Sequence, residues 1–213
     1  MNIGIVGLGK LGLPCALEID RCGHKVCGYD INPEIAQILE SRVLPYKEVL
    51  ADVFLKNHRI KLETLEETVI QSDIIFVAVQ TPHHPMYEGI TRIPDTTSDF
   101  DYSYLLDSLK SISDIVEKHQ EEKIVVIIST VLPGTIQKLV LPIISPLIHL
   151  CYNPFFIAMG TTIDDFKNPE FVLLGCENDE TARIVTEFYD TIHSSPVFHT
   201  TILNAELIKV SYN

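Results

Sequence analysis

The first twelve residues, MNIGIVGLGKLG, constrain the chain more than any other segment. An apolar run (Ile3, Ile5, Val6) drives straight into Gly7-Leu8-Gly9-Lys10-Leu11-Gly12, and an amphipathic stretch then leads to a second run from Lys25 to Asp30. This order predicts a strand, a tight turn, a helix and a second strand ending in an acid. In such a unit Gly7 permits the sharp turn, Gly9 lets a pyrophosphate approach the backbone, and Gly12 lets the helix pack closely on the strand. The helix N-terminus, entered through Leu8, Lys10 and Leu11, offers N–H groups and partial positive charge to phosphates. Asp30 follows Gly12 by 18 residues, where a carboxylate takes the ribose hydroxyls of a dinucleotide. The same carboxylate repels a 2′-phosphate, so the expected cofactor is NAD rather than NADP. A purely structural glycine turn is the competing reading. The strand before it, the helix after it and the acid at the right distance favour the dinucleotide.

With 213 residues the chain can bury one sizeable core, or one domain and a fragment of another. A net charge of −13 provides no basic surface for nucleic acid or anionic lipid. No stretch approaches the roughly 20 apolar residues of a membrane helix, and the glycine-broken start is no secretory signal. The five cysteines (Cys15, Cys22, Cys27, Cys151, Cys176) are scattered without CxxC spacing, so neither a redox motif nor a metal site is expected. Buried reduced thiols point to a reducing compartment, and hence to a cytoplasmic protein.

Strand and helix patterns alternate along the whole chain. Ile3–Val6 and Lys25–Asp30 are joined by a helix from Leu11 to Cys22, and Asn32 with Pro33 starts a short helix to Ser41. Val49–Leu55 reads as another helix, and Ile74–Val79 as a strand buried on both faces. Pro82–Thr97, with His83-His84, is a long loop, functional or simply on the surface. Tyr102–His119 is helical, with Leu105, Leu109, Ile112 and Val116 on one side. Lys123–Ile128 is a second doubly buried strand, after which Thr135 is placed to cap a helix to Ile144. Strands at His149–Tyr152, Phe171–Leu174 and Val197–His199, with a helix over Glu180–Ile192, complete the pattern. The expected fold is α/β, a Rossmann-like, doubly wound, mostly parallel sheet with helices on both faces over residues 1–200. Residues 201–213 then begin an interdomain helix. Its pattern reaches Asn213 with no glycine, proline or basic last turn after it, so we expect a second half of the protein to follow.

Two further segments end parallel strands, where an open α/β sheet places its ligand crevice. They are Val79-Gln80-Thr81-Pro82 and Ser129-Thr130-Val131-Leu132-Pro133-Gly134-Thr135. Thr81 and Thr130 either face a cofactor or merely cap the turns that follow. Lys209 and Asn213, four apart, share one helix face, for which a solvated face is the default reading before any resemblance is considered. Together with Asn153-Pro154-Phe155-Phe156-Ile157-Ala158-Met159-Gly160, Asp165-Phe166-Lys167-Asn168-Pro169, Thr201 and Ala205-Glu206-Leu207-Ile208-Lys209, these segments resemble the N-terminal half of the UDP-glucose/GDP-mannose dehydrogenase family in order and spacing. The resemblance covers essentially the whole chain. It implies the NAD-binding half of a nucleotide-sugar 6-dehydrogenase, which passes hydride from a sugar C6 alcohol to NAD. The family's two successive oxidations run through an intermediate on a cysteine of a C-terminal domain, so this chain alone should bind NAD without turnover. Val79, Thr81, Pro82, Ser129 and Thr130 would then join the glycine loop as cofactor contacts. Thr130, Lys209 and Asn213 would be catalytic, the lysine stabilising a developing oxyanion. Phe155, Phe156 and Met159 would line the sugar pocket with Lys209 and Asn213. The implied partners are a sugar nucleotide and a second copy of the chain, joined through the interdomain helix.

The chain departs from the family pattern Asn-Pro-Glu-Phe-Leu-x-Glu-Gly, since Phe155 and Met159 stand at its two glutamate positions. Ile35 stands where relatives often carry a basic residue near the adenosine ribose. Losing both carboxylates removes a candidate general base or water-orienting group, which bears on the hydrolysis that closes the family's reaction. A non-catalytic NAD or sugar-nucleotide sensor therefore competes with the enzyme reading. A β-hydroxyacid dehydrogenase shares the glycine start and a late lysine, but the Asn153-Pro154 segment and the Ser129–Thr135 loop argue against it.

Overall fold

The apolar runs become strands whose alternate side chains feed two separate cores. The computed structural model describes residues 1–88, 92 and 95–212. Among them one sheet holds β1 (Asn2–Val6), β2 (Lys25–Tyr29), β3 (Lys61–Leu62), β4 (Ile74–Val77), β5 (Lys123–Ile127), β6 (Ile148–Tyr152), β7 (Val172–Cys176) and β8 (Val197–Thr200). On one face Ile3, Ile5, Ile74, Phe76, Val126 and Leu174 are buried in a single cluster. That cluster takes in α1 (Gly12–Arg21), α2 (Glu34–Ser41), α3 (Ala51–Asn57), α6 (Thr162–Lys167) and α7 (Asp179–Asp190). On the other face Val6, Ile75, Val77, Val125, Ile127 and Tyr152 meet α4 (Leu65–Gln71), α5 (Ser103–His119) and α8 (Ile202–Tyr212). Strand side chains alternate with period two, so an uninterrupted apolar run supplies both faces at once.

The strand order is β3-β2-β1-β4-β5-β6-β7-β8. The pairs β1·β2, β2·β3, β1·β4, β4·β5, β5·β6 and β7·β8 are parallel, and β6·β7 is antiparallel. The chain winds outward from β1 to β3 and then crosses to lay β4 on the other side of β1. This reversal is the topological switch point, and open sheets bind ligands outside the carboxyl ends of the strands flanking it. The glycine turn leaves β1 there, and Val79–Pro82 leaves β4 there. After β6 the connection carries α6 along that edge and re-enters the sheet from it, so β7 runs opposite to β6. The strand patterns alone did not foretell this reversal.

Local chemistry accounts for the other departures. The helix expected from Thr135 to Ile144 is instead a π-turn over Ile136–Val140 followed by a 3₁₀ turn over Leu141–Ile143. Pro142 has no N–H and crowds the carbonyl four residues back, which prevents a regular α-helix. Thr135 makes no capping bond to it. α4 and α6 were not foreseen, although the Thr64/Glu67 capping box that starts α4 has a readable signature. α2 starts one residue later than expected, with Pro33 as its N-cap, although Asn32 Oδ1 still accepts from Glu34 N at 3.0 Å. Cys15 and Cys151 are buried, and burial pushes both thiols up, away from nucleophilic use.

Two histidines at the α7 end of the first core make the fold sensitive to acid. His24 Nε2 lies 2.7 Å from Thr191 Oγ1, and His193 stacks on Tyr189 at 5.4 Å. Burial lowers both imidazoles below the ordinary value. The folded state therefore favours the neutral ring, and the unfolded chain binds protons first as pH falls. Stability from this source is complete above about pH 6.5 and is lost as pH drops toward the depressed folded values. Thermal melts should show a falling midpoint between about pH 7 and pH 5, and His24→Gln with His193→Gln should flatten that slope.

Candidate functional site

The glycine turn divides its work among three positions. Gly7 has φ +95°, and a Cβ there would sit 2.9 Å from Ala78 O, so turn geometry and the neighbouring strand both exclude a side chain. At Gly12 a Cβ would collide with Gly7 O, which shows how closely α1 rests on the end of β1. At Gly9 a Cβ would meet no protein atom within 4 Å. The space in front of Gly9 is therefore open, as the approach of a pyrophosphate requires. The first α-helical bond runs from Leu13 N to Gly9 O at 3.1 Å, which turns the N-terminus of α1 toward that space. Leu8 is buried beneath the turn, Leu11 packs against the first core, and Lys10 is exposed with its Nζ 5.8 Å from the Tyr46 ring. Asp30 Oδ2 accepts from Leu8 N at 2.6 Å and Oδ1 from Asn32 N at 2.7 Å, which fixes the acid at the mouth of the crevice.

The ends of β4 and β5 are stitched together beside this turn. Ser129 Oγ donates to Val79 O at 2.5 Å, and Thr81 Oγ1 donates to Thr130 O at 2.7 Å. Pro82 O accepts from Asp101 N at 2.8 Å, which closes the long loop back onto α5. Thr81 thus spends its proton on the neighbouring loop while its oxygen retains acceptor capacity. Val79, Thr81, Pro82, Ser129 and Thr130 form one wall next to the glycine turn.

A second group gathers where β6 ends. Lys209 Nζ, on α8, donates to Phe155 O at 2.8 Å and sits 5.0 Å from the Phe156 ring centroid. Burial lowers its pKa, because a desolvated ammonium is less favourable. Phe155 is half-buried, 5.5 Å from Phe166, and lies near Gly12 and Ile128. Phe156 packs on Phe171 and Tyr212 at 5.0 and 4.9 Å. Met159 is 68% exposed at the far end of the same loop. A cavity of about 110 Å³ lies among Phe155, Phe156, Phe166, Phe171, Tyr189 and Tyr212. Asn213 lies outside the described residues. His83 and His84 are exposed, and no cluster of three potential metal ligands occurs among the described residues.

Several residues support this site through partners that the sequence does not announce. Tyr102 Oη accepts from Leu132 N at 3.2 Å and donates to Asp99 at 2.6 Å, bracing the loop after β5. Buried Asn153 spans β7 and α7: its Nδ2 donates to Leu173 O at 3.0 Å and its Oδ1 accepts from Tyr189 Oη. Glu48 accepts from Gly160 N at 3.1 Å and Ile163 N at 3.2 Å, fastening the Phe155–Gly160 loop. Glu206 accepts from Gly134 N at 2.6 Å and Ile136 N at 2.9 Å. Asn153 and Glu206 lie in segments that the sequence already marks, and Glu206 carries a further signal. Positions 202, 205, 206 and 209 form the buried stripe of α8, and two of them are charged.

A doubly wound sheet with an open glycine turn, an acid closing the second strand and polar strand ends at the switch point defines a dinucleotide-binding domain. Comparison with known proteins takes this further. The family described as "UDP-glucose/GDP-mannose dehydrogenase family, NAD binding domain" matches residues 1–193. GDP-mannose 6-dehydrogenase of Pseudomonas aeruginosa is 26% identical over 226 residues, covering 100% of this chain and 49% of the relative. UDP-glucose 6-dehydrogenase of Rickettsia conorii is 26% identical over 220 residues, covering 100% and 48%. Among solved structures, a ternary complex of GDP-mannose dehydrogenase from P. aeruginosa superposes with TM-score 0.89 at 27% identity, covering 100% of this chain and 49% of the other. A UDP-glucose dehydrogenase from Pyrobaculum islandicum gives TM-score 0.85 at 25% identity, covering 99% and 48%. The chain belongs to the UDP-glucose/GDP-mannose dehydrogenase family and comprises its NAD-binding domain. It spans about half the length of the curated relatives it matches.

The three glycines should separate cleanly on mutation. Gly9→Val should leave the melting temperature nearly unchanged and lower NAD affinity at least tenfold, because the new side chain fills only ligand space. Gly12→Ala should cost on the order of 1–3 kcal/mol of stability through the collision with Gly7 O. Thermal melts and calorimetric NAD titrations on both variants check this. Equal stability losses would contradict the division of roles.

Proposed function

We propose that the protein carrying this chain is a nucleotide-sugar 6-dehydrogenase that oxidises a sugar C6 alcohol with NAD. Residues 1–200 are its cofactor unit, and residues 201–213 begin the helix leading to a second domain. The observation that carries the reading is Lys209, held by α8 at the carboxyl edge of the sheet, 2.8 Å from Phe155 O and next to the cofactor wall. NAD, when bound, accepts a hydride. The glycine turn from Gly7 to Gly12 and Asp30 would hold its adenosine and pyrophosphate. Val79, Thr81, Pro82, Ser129 and Thr130 would face its other half. The Lys209 ammonium, already partly desolvated, would favour negative charge building on the sugar oxygen as its proton leaves. Thr130 and Asn213 complete the proposed catalytic set, and Phe155, Phe156 and Met159 shape the sugar side. Phe155 and Met159 have no acid–base group, so they can exclude water but cannot activate it.

A cytoplasmic setting and a place in polysaccharide precursor synthesis belong to the same proposal. No described helix is long and apolar enough to cross a membrane. Pairing of two copies along α8 is supported by Leu203, Leu207 and Val210, which are exposed and share one face of the helix. The sensor reading keeps one specific support, the apolar residues at both family glutamate positions.

Incubating the whole protein with UDP-glucose or GDP-mannose and NAD, and counting NADH per sugar, separates the readings. The proposal expects NADH formation that Lys209→Ala abolishes. If water activation is lost with the glutamates, no free acid should form: an aldehyde or its cysteine thiohemiacetal accompanies one NADH per sugar, and a thioester held on the cysteine accompanies two. Two NADH and a uronic acid would show that another residue supplies the base. Tight binding of both ligands with no NADH would favour the sensor. Phosphate discrimination is a separate test: NAD should bind more tightly than NADP, and Asp30→Ala should narrow the gap.

A further inference from the structure

One turn of α8 holds two loops from different strand ends. Glu206 is buried, with 1% of its surface exposed, and its two carboxylate oxygens accept from Gly134 N and Ile136 N. Three residues later Lys209 donates to Phe155 O in the loop after β6. The helix itself cannot shift far. It lies so close to β7 that a Cβ on Gly175 would come within 2.8 Å of Ala205 Cβ, and Ile202 and Ala205 are buried beneath it. A carboxylate in this position costs desolvation that only charge-assisted bonds to N–H groups offset. A leucine would serve the apolar packing of α8 but would leave Gly134 N and Ile136 N without an acceptor, so what the acid adds is its hold on the loop. The acid's two partners belong to the Ser129–Thr135 loop, whose other end carries Ser129 on Val79 O and Thr130 under Thr81 Oγ1.

We propose that Glu206 is a positioning residue that sets the loop after β5 against the nicotinamide half of the cofactor and ties its placement to that of Lys209. Cofactor wall and lysine then move as one body, and a displacement of the loop of even 1 Å would reach the reacting centre. The proposal rests on the assignment of the β4 and β5 ends to the second half of the dinucleotide, which follows from the two-halved architecture of such sheets. ADP would contact only the glycine turn and the Asp30 side, so it serves as an internal control.

The test is a pair of calorimetric titrations, NAD and ADP, on this chain as wild type, Glu206→Gln and Asp20→Asn. Asp20 is a buried carboxylate at the opposite end of α1, bonded to Arg59, and reports the general effect of neutralising a buried acid. Glutamine keeps the shape of Glu206 but turns one acceptor into a donor facing an N–H. The expected result for Glu206→Gln is about a tenfold weaker affinity for NAD, with ADP affinity unchanged. Asp20→Asn should lower the melting temperature without changing either affinity. Equal losses of NAD and ADP affinity in Glu206→Gln, or none, would overturn the role of Glu206 while leaving the cofactor assignment intact. A wild-type chain that binds neither ligand would overturn both. Should Glu206→Gln fail to fold, Glu206→Asp decides. It keeps the charge and is one methylene short, so a smaller but still NAD-selective loss supports the proposal, and an unselective loss or none refutes it.

Discussion

The rest of the domain depends on how closely α1 lies on the end of β1. Gly12 sits against Gly7 O with no room for a methyl group, and Gly7 in turn lies against Ala78 O beyond β4. That contact fixes where the helix N-terminus points, and so where its N–H groups and partial charge can meet a phosphate. It also brings the β1 turn beside the end of β4, because both strands flank the reversal of the sheet. An extra side chain at either glycine would move the helix, the turn and the β4 loop together. Gly9, between them, is under no such pressure from the protein.

The remainder of the site is a set of short polar ties laid over this frame. Ser129 and Thr81 join the ends of β4 and β5, Glu206 joins the β5 loop to α8, and Lys209 joins α8 to the end of β6. Glu48 fastens the far end of the β6 loop from the side of α3. Each tie ends on a backbone atom, so the loops are held in place whatever side chains they present. This suits a family in which loops at one sheet edge supply the chemistry and the strands below only position them. It also allows Phe155 and Met159 to replace acids without disturbing the course of the loop.

What the sequence made legible follows from the range of the interactions involved. The glycine turn, Asp30 and the doubly buried strands are local patterns, and all of them stand in the structure where their spacing put them. The turn after Thr135 was misjudged because Pro142 outweighs an otherwise helical composition. The antiparallel β7 was not legible, because its direction is set by how the 153–171 connection crosses the sheet edge and not by its own residues. The supports at Glu48, Tyr102 and Asn153 reach partners across the fold, between 20 and 115 residues away. Pattern reading sees the residue in such pairs but not its partner. The order of motifs pointed to the family before any geometry was known, whereas the placement of each side chain needed the fold.

Amide chemical shifts of the isotope-labelled chain, followed while NAD is added, test the account most directly. It predicts the largest changes at the backbone amides of Gly9, Lys10, Leu11 and Gly12, with a second set at Ser129, Thr130 and Val131. The amides of α7 and β8 should stay still. Changes centred instead on the aromatic cavity around Phe171 and Tyr189, with the glycine turn unmoved, would contradict it.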